Sequence, residues 1–104
     1  MVNGRQKGNQ FERDIAKALR SIFPNIQTAR LMSKSTDDRG IDLVNTGDWA
    51  FQCKRFKNKY PNLEVTLEEM DTEDKKVVIH KRDRKEILAT MSLSTLMTLI
   101  NDRS

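Results

Sequence analysis

Two acidic residues of this chain stand where acids are uncommon. With residues placed about 100° apart, Phe11, Ile15, Ala16, Ala18, Leu19, Ile22 and Phe23 fill one continuous arc of a helix, and Arg13, Lys17 and Arg20 fall opposite. Glu12 lies inside the apolar arc, close to Leu19. A carboxylate aimed at a core is costly unless a cation receives it. A salt bridge to a buried Arg or Lys, or an edge position from which it reaches water, is the alternative to a chemical role. Asp42 sits between Ile41 and Leu43, in a strand-like run from which Asp is normally depleted. Its alternative role is to cap the loop that ends at Gly40. Further on, alternation across a strand puts Trp49, Phe51 and Cys53 on one face and Ala50, Gln52 and Lys54 on the other. The first set is a core face, so Cys53 belongs to packing and not to nucleophilic chemistry. Gln52 and Lys54 project together.

These residues suit one kind of chemistry. The turn Thr46-Gly47-Asp48 predicts an antiparallel hairpin, in which a suitable register sets Asp42 beside Gln52 and Lys54. Glu12 can reach the same point from the helix. Hard oxygen donors of this kind suit Mg²⁺ or Mn²⁺. A divalent ion so held polarises a phosphate ester and lowers the pKa of a water that attacks it. Lys54 would steady the added negative charge or orient the water.

The elements that must position these groups follow from pattern and punctuation. Residues 1–8 read as a polar, flexible lead-in. Asn9 caps a helix over 10–23, which Pro24 ends. Strands are expected over 26–32, 41–45, 49–55, 76–81 and 86–91, with a polar loop at 33–40, a basic loop at 57–62 and a turn at 82–85. The acidic stretch 63–74 is ambiguous between a short strand and a helical turn. Ser92 or Ser94 caps a final helix with Leu93, Leu96, Met97, Leu99 and Ile100 on one side. The whole is a single α/β domain spanning 1–104, a mixed sheet flanked by helices.

With 104 residues, 37% of them hydrophobic and 33% charged, the core is thin, and thin cores are often completed by a second copy. The net charge of +4 favours a polyanionic partner. One cysteine excludes an internal disulfide and a multi-cysteine zinc site, and fits a reducing compartment. No apolar run reaches membrane-spanning length and the N-terminus has no apolar signal core, so a cytoplasmic protein without a membrane partner is expected.

Asp42, nine residues, then Gln52-Cys53-Lys54 resembles the core motif of the PD-(D/E)XK nuclease superfamily. Gly8-Asn9-Gln10-Phe11-Glu12-Arg13 is similar to the first-helix motif of archaeal-type Holliday-junction resolvases, and Arg39-Gly40-Ile41-Asp42-Leu43 with Phe51-Gln52-Cys53-Lys54-Arg55 to Mrr-type restriction nucleases. The resemblance covers roughly residues 7–55 and implies a restriction-endonuclease-like fold. It implies Glu12, Asp42 and Gln52 as ligands of Mg²⁺ or Mn²⁺, and Lys54 as the catalytic lysine. The implied activity is hydrolysis of phosphodiester bonds in double-stranded or branched DNA, most of all four-way junctions, by an intracellular homodimer of phage or prokaryote type serving recombination and repair. A restriction-like or general DNA-processing endonuclease, or a module that binds DNA without cutting, is the alternative. The chain departs from the motif at Gln52, where most members carry Glu or Asp. Glutamine offers a metal an oxygen but no charge, so Glu12 and Asp42 carry the neutralisation, with Asp37 or Asp38 as a third acid.

Arg5, Lys7, Arg30, Lys34, Arg39, Arg55, Lys57 and Lys59 surround the expected site and suit phosphate contact; a solvated charged surface is the alternative for each. The resemblance also points to a loop serine near the phosphate, Ser33 or Ser35, though loop serines commonly serve turns. Tyr60 is placed to stack on a base at an opened junction. His80, the single histidine, is expected at the surface.

Overall fold

A computed structural model describes residues 4–102. Helix α1 (Gly4–Leu19) buries Phe11, Ile15 and Ala16, the centre of the apolar arc. It starts before Asn9, so residues 4–8 are helical and the expected flexible lead-in is corrected over that part; residues 1–3 lie outside the described residues. Gly4 and Gly8 are poor helix formers, and a tertiary tie holds these turns: Lys7 Nζ pairs with Asp83 at 2.9 Å. The helix also stops early. Ile22 and Phe23 both donate to the Leu19 carbonyl at 2.9 Å, which turns the chain away and leaves Ile22 exposed. Ala18 is exposed too, so the arc is narrower than its periodicity suggests.

The run expected as one strand over 26–32 divides. Only β1 (Gln27–Thr28) is extended, and α2 (Ala29–Met32) follows, closed by Ser33 N donating to the Ala29 carbonyl at 2.7 Å. Leu31 and Met32 therefore point outward. The expected polar loop contains α3 (Lys34–Asp38), and β2 is short (Leu43–Val44). β1 and β2 pair antiparallel, Gln27 with Val44 and Thr28 with Leu43. The long strand β3 (Trp49–Phe56) joins not β2 but β4 (Lys75–Arg82), in parallel over its full length, and β4 pairs antiparallel with β5 (Leu88–Thr90). The predicted β2–β3 hairpin ladder is thus reduced to one main-chain bond, Asp42 N to Phe51 O at 2.8 Å.

A parallel pair needs a crossover, and the ambiguous acidic stretch supplies it as α4 (Leu63–Glu69), whose first turn is capped by Asn62 accepting from Val65 N at 3.1 Å. Both faces of β3 are then covered. Phe51, Cys53 and Val77 pack with α1, and Ala50 and Val78 pack with Ile41, Met70 and the apolar side of α4. The domain is α/β, a small mixed sheet flanked by helices. The last helix, α5 (Leu93–Asp102), takes Ser92 as its cap and buries none of its residues. No helix among the described residues is long and apolar enough to cross a membrane.

Candidate active site

Asp42 is fixed through three main-chain partners. Its N–H reaches the Phe51 carbonyl, its carbonyl receives Ala29 N at 2.7 Å, and its carboxylate Oδ2 accepts the Cys53 N–H at 2.7 Å. The side chain thereby replaces the ladder bond that β2 fails to give β3. The cost is a buried acid, 8% exposed. Burial pushes its pKa up to about 6; the Cys53 N–H opposes this, the negative charges of Glu12 and Asp37 add to it, and Lys54 pulls it down. These charges act at one point, although Glu12 comes from α1, Asp37 from α3 and Lys54 from β3.

Glu12 is the acid that α1 turns toward its covered side. Its carboxylate is ion-paired with Arg30 of α2. Burial raises its pKa, Arg30 lowers it, and Asp37 raises it again. The sequence alternatives of a salt bridge and a chemical role therefore coexist: the arginine receives the charge, and the charge still acts on Asp42. Both acids of α3 are exposed; Asp37 acts on both Glu12 and Asp42, and Asp38 lies 3.5 Å from Lys34.

Gln52 and Lys54 share one face of β3, as alternation requires, because Ala50 of the same parity packs under α4. The Gln52 Oε1 rests near Gly40: a Cβ built there would come 3.3 Å from it and 3.4 Å from the Glu69 carbonyl. Gly40 also has φ +78°, so backbone and space both call for glycine. Lys54 is half-buried, opposite His80 across the parallel pair.

The other predicted positions scatter in role. Lys7 and Arg55 both bind Asp83, at 2.9 and 3.0 Å, which ties α1, β3 and the β4–β5 turn together. Arg30 serves Glu12. Lys34, Arg39, Lys57 and Lys59 are exposed, and the side chain of Arg5 lies outside the described residues. Ser33 caps α3, its Oγ accepting Thr36 N at 3.3 Å, while Ser35 is exposed. Cys53 is buried among apolar neighbours, and burial raises its thiol pKa well above the usual value. The surface expectation for His80 is overturned: it is 3% exposed, bonds Thr90 Oγ1 at 2.8 Å, and burial lowers its pKa. Sequence reasoning missed Asp83 as an anchor; its signal was a lone acid in the basic run Lys81-Arg82-Asp83-Arg84-Lys85.

Among the described residues no three His, Cys, Asp or Glu side chains gather closely enough to hold an ion by themselves. In donor chemistry alone the Asp42 and Glu12 carboxylates suit a hard divalent cation. The Cys53 N–H occupies only Oδ2 of Asp42, and the mutual repulsion of Asp42, Glu12 and Asp37 is what a cation relieves. No protein-family model, curated protein or solved structure matches the chain.

Proposed function

We propose that this protein is a metal-dependent DNA endonuclease of the PD-(D/E)XK type that cuts branched DNA, four-way junctions in particular. One observation carries the reading: a buried Asp42 carboxylate, held by the Cys53 N–H, within charge reach of both Glu12 and Lys54. The mixed sheet flanked by helices supports the restriction-endonuclease-like fold that the motif implies. In this reading Asp42 and Glu12 hold Mg²⁺ or Mn²⁺, with the Gln52 amide oxygen as the neutral donor. The ion supplies Lewis-acid polarisation of the phosphate and a water of lowered pKa. Lys54 places a positive charge where the attacked phosphate gains negative charge. Arg30 keeps Glu12 ionised and oriented. The exposed Lys34, Arg39, Lys57 and Lys59 contact flanking phosphates without reading sequence.

The same reading expects a homodimer, because two equivalent sites suit a junction with two equivalent strands to cut. Support comes from α5, which leaves Leu93, Leu96, Met97 and Ile100 39–70% exposed on a helix that buries no residue on its own domain.

The test is cleavage of a labelled four-way junction and of the matched linear duplex, with Mg²⁺ and with EDTA, by the wild type and by Asp42→Asn. Paired, metal-dependent nicks confined to the junction and lost in the variant are expected. Equal cutting of the duplex would replace the junction nuclease by a restriction-like or general endonuclease. A second reading, a nuclease fold that binds DNA without cutting, is favoured by two details: Glu12 is occupied by Arg30, and the Gln52 oxygen rests near Gly40. Tight binding with no cleavage in either metal would establish it.

A further inference from the structure

The face of the sheet that carries Lys54 continues past α4. In the parallel register Lys54 stands opposite His80, and Phe56 opposite Arg82. Paired residues of adjacent strands share a face and lie about 4.8 Å apart. At this end the basic loop folds back and lays Tyr60 on the strands. Its ring centroid is 4.9 Å from that of Phe56 and 6.4 Å from that of His80, and the Arg82 guanidinium stands 5.3 Å from the tyrosine ring centre. Two rings therefore fix Tyr60 from beneath, yet it remains 49% exposed. It forms one wall of a cleft of about 210 Å³ completed by His80, Arg82, Lys85, Glu86 and Leu88.

We propose that this cleft takes up a single unpaired nucleobase of the DNA, stacked on Tyr60, beside the phosphate that Lys54 faces. The cleft is smaller than the ~300–1,000 Å³ of sites for drug-sized ligands, which suits one flat ring. A held aromatic face with a guanidinium alongside is the platform on which bases stack without sequence preference. Arg82 and Lys85 meet the backbone phosphates, and the Glu86 carboxylate is an acceptor for an exocyclic amino group. A strand trapped here presents its neighbouring phosphate one strand-spacing away, at Lys54. Base pairs at a branch point lack continuous stacking on one side and open more readily than those inside intact duplex, so the cleft gives the selection for branched DNA a physical source.

The inference rests on the nuclease reading for its DNA ligand but not on cleavage, so it is tested by binding in EDTA. The probes are an abasic oligonucleotide backbone bearing a single thymine and the wholly abasic backbone, at fixed low salt, with the wild type, Tyr60→Ala and Tyr60→Phe. The wild type should prefer the thymine-bearing strand by about 5- to 150-fold, the range that stacking one base is worth. Tyr60→Ala should lose that preference while binding the abasic strand as before, and Tyr60→Phe should keep it within about 2-fold. Equal binding of the two strands by the wild type, no binding of either, or a preference unchanged in Tyr60→Ala would overturn the proposal. A protein that prefers the base yet cuts nothing would refute the nuclease and leave this site standing. One that cuts junctions without preferring the base would refute this site alone.

Discussion

Asp42→Asn should stabilise the protein above neutral pH, although it removes the residue on which the proposed chemistry depends. Burial moves the Asp42 pKa from 3.8 in the unfolded chain to about 6 in the folded one. Between those values the folded state holds the extra proton, so stability falls as pH rises through the window and stays at its lower level above it. At about 1.36 kcal/mol per unit, the full effect is roughly 3 kcal/mol. Asparagine is close in shape, keeps an oxygen for the Cys53 N–H and carries no charge. It also ends the repulsion that Glu12 and Asp37 exert on the Asp42 carboxylate. The variant should therefore exceed the wild type by about 1–3 kcal/mol at pH 8, and the gap should close near pH 4.

The comparison is made as a difference because other groups titrate in the same range. The His80 pKa is lowered by burial, so its contribution is present above its unfolded value and lost as pH falls. That loss is common to both chains and cancels. Urea unfolding at pH 4 and pH 8, followed through Trp49, measures the gap. A variant no more stable than the wild type at pH 8, or a gap independent of pH, would refute the reasoning. Added Mg²⁺ or Mn²⁺ should raise the wild type at pH 8 by mass action and leave the variant unmoved.

Gly40→Ala should cost about 1–3 kcal/mol in the same unfolding assay, since its φ of +78° and the 3.3 Å approach to Gln52 both oppose a side chain; a neutral result would mean that the loop before Asp42 relaxes freely. Asp83→Asn should lower thermal stability by releasing Lys7 and Arg55, and at the same time tighten DNA binding at low salt, because two cations are freed for phosphate. Titration against salt should show a steeper slope for that variant, and a shallower one would sink the idea. Met97→Glu should turn a dimer into a monomer in sedimentation while leaving the fold of each copy intact, since Met97 is 60% exposed; a wild type that is already monomeric at tens of micromolar would remove α5 as an interface.

The large elements were legible because their signals are local. The arc of Phe11, Ile15 and Ala16, the alternation through Trp49–Phe56 and the β-rich run in Lys75–Arg82 each state a period that packing only has to obey. The short elements were not, because long-range ties decide them. The segment 29–32 carries no strong helical signal; it coils because Ala29 N is taken by the Asp42 carbonyl and Ser33 N by the Ala29 carbonyl. The start of α1 is set by an ion pair between Lys7 and Asp83, 76 positions apart. The hairpin expected to set Asp42 against β3 hardly forms, and one main-chain bond to Phe51 and one side-chain bond from Cys53 do the work expected of a ladder. His80 was misread because its strand alternates between two covered faces, so a polar residue on it need not meet water.

That same burial on both faces gives a physical reason for glutamine at position 52. Three acids, Glu12, Asp37 and Asp42, already act on one partly buried point, and their repulsion adds to burial in raising Asp42 to about 6. A carboxylate in place of Gln52 would add a further negative charge to the face of β3 that also carries Lys54. Glutamine supplies an oxygen and adds no charge. In the proposed nuclease site the acid beyond Asp42 and Glu12 that acts electrostatically is Asp37 of α3, and β3 contributes none.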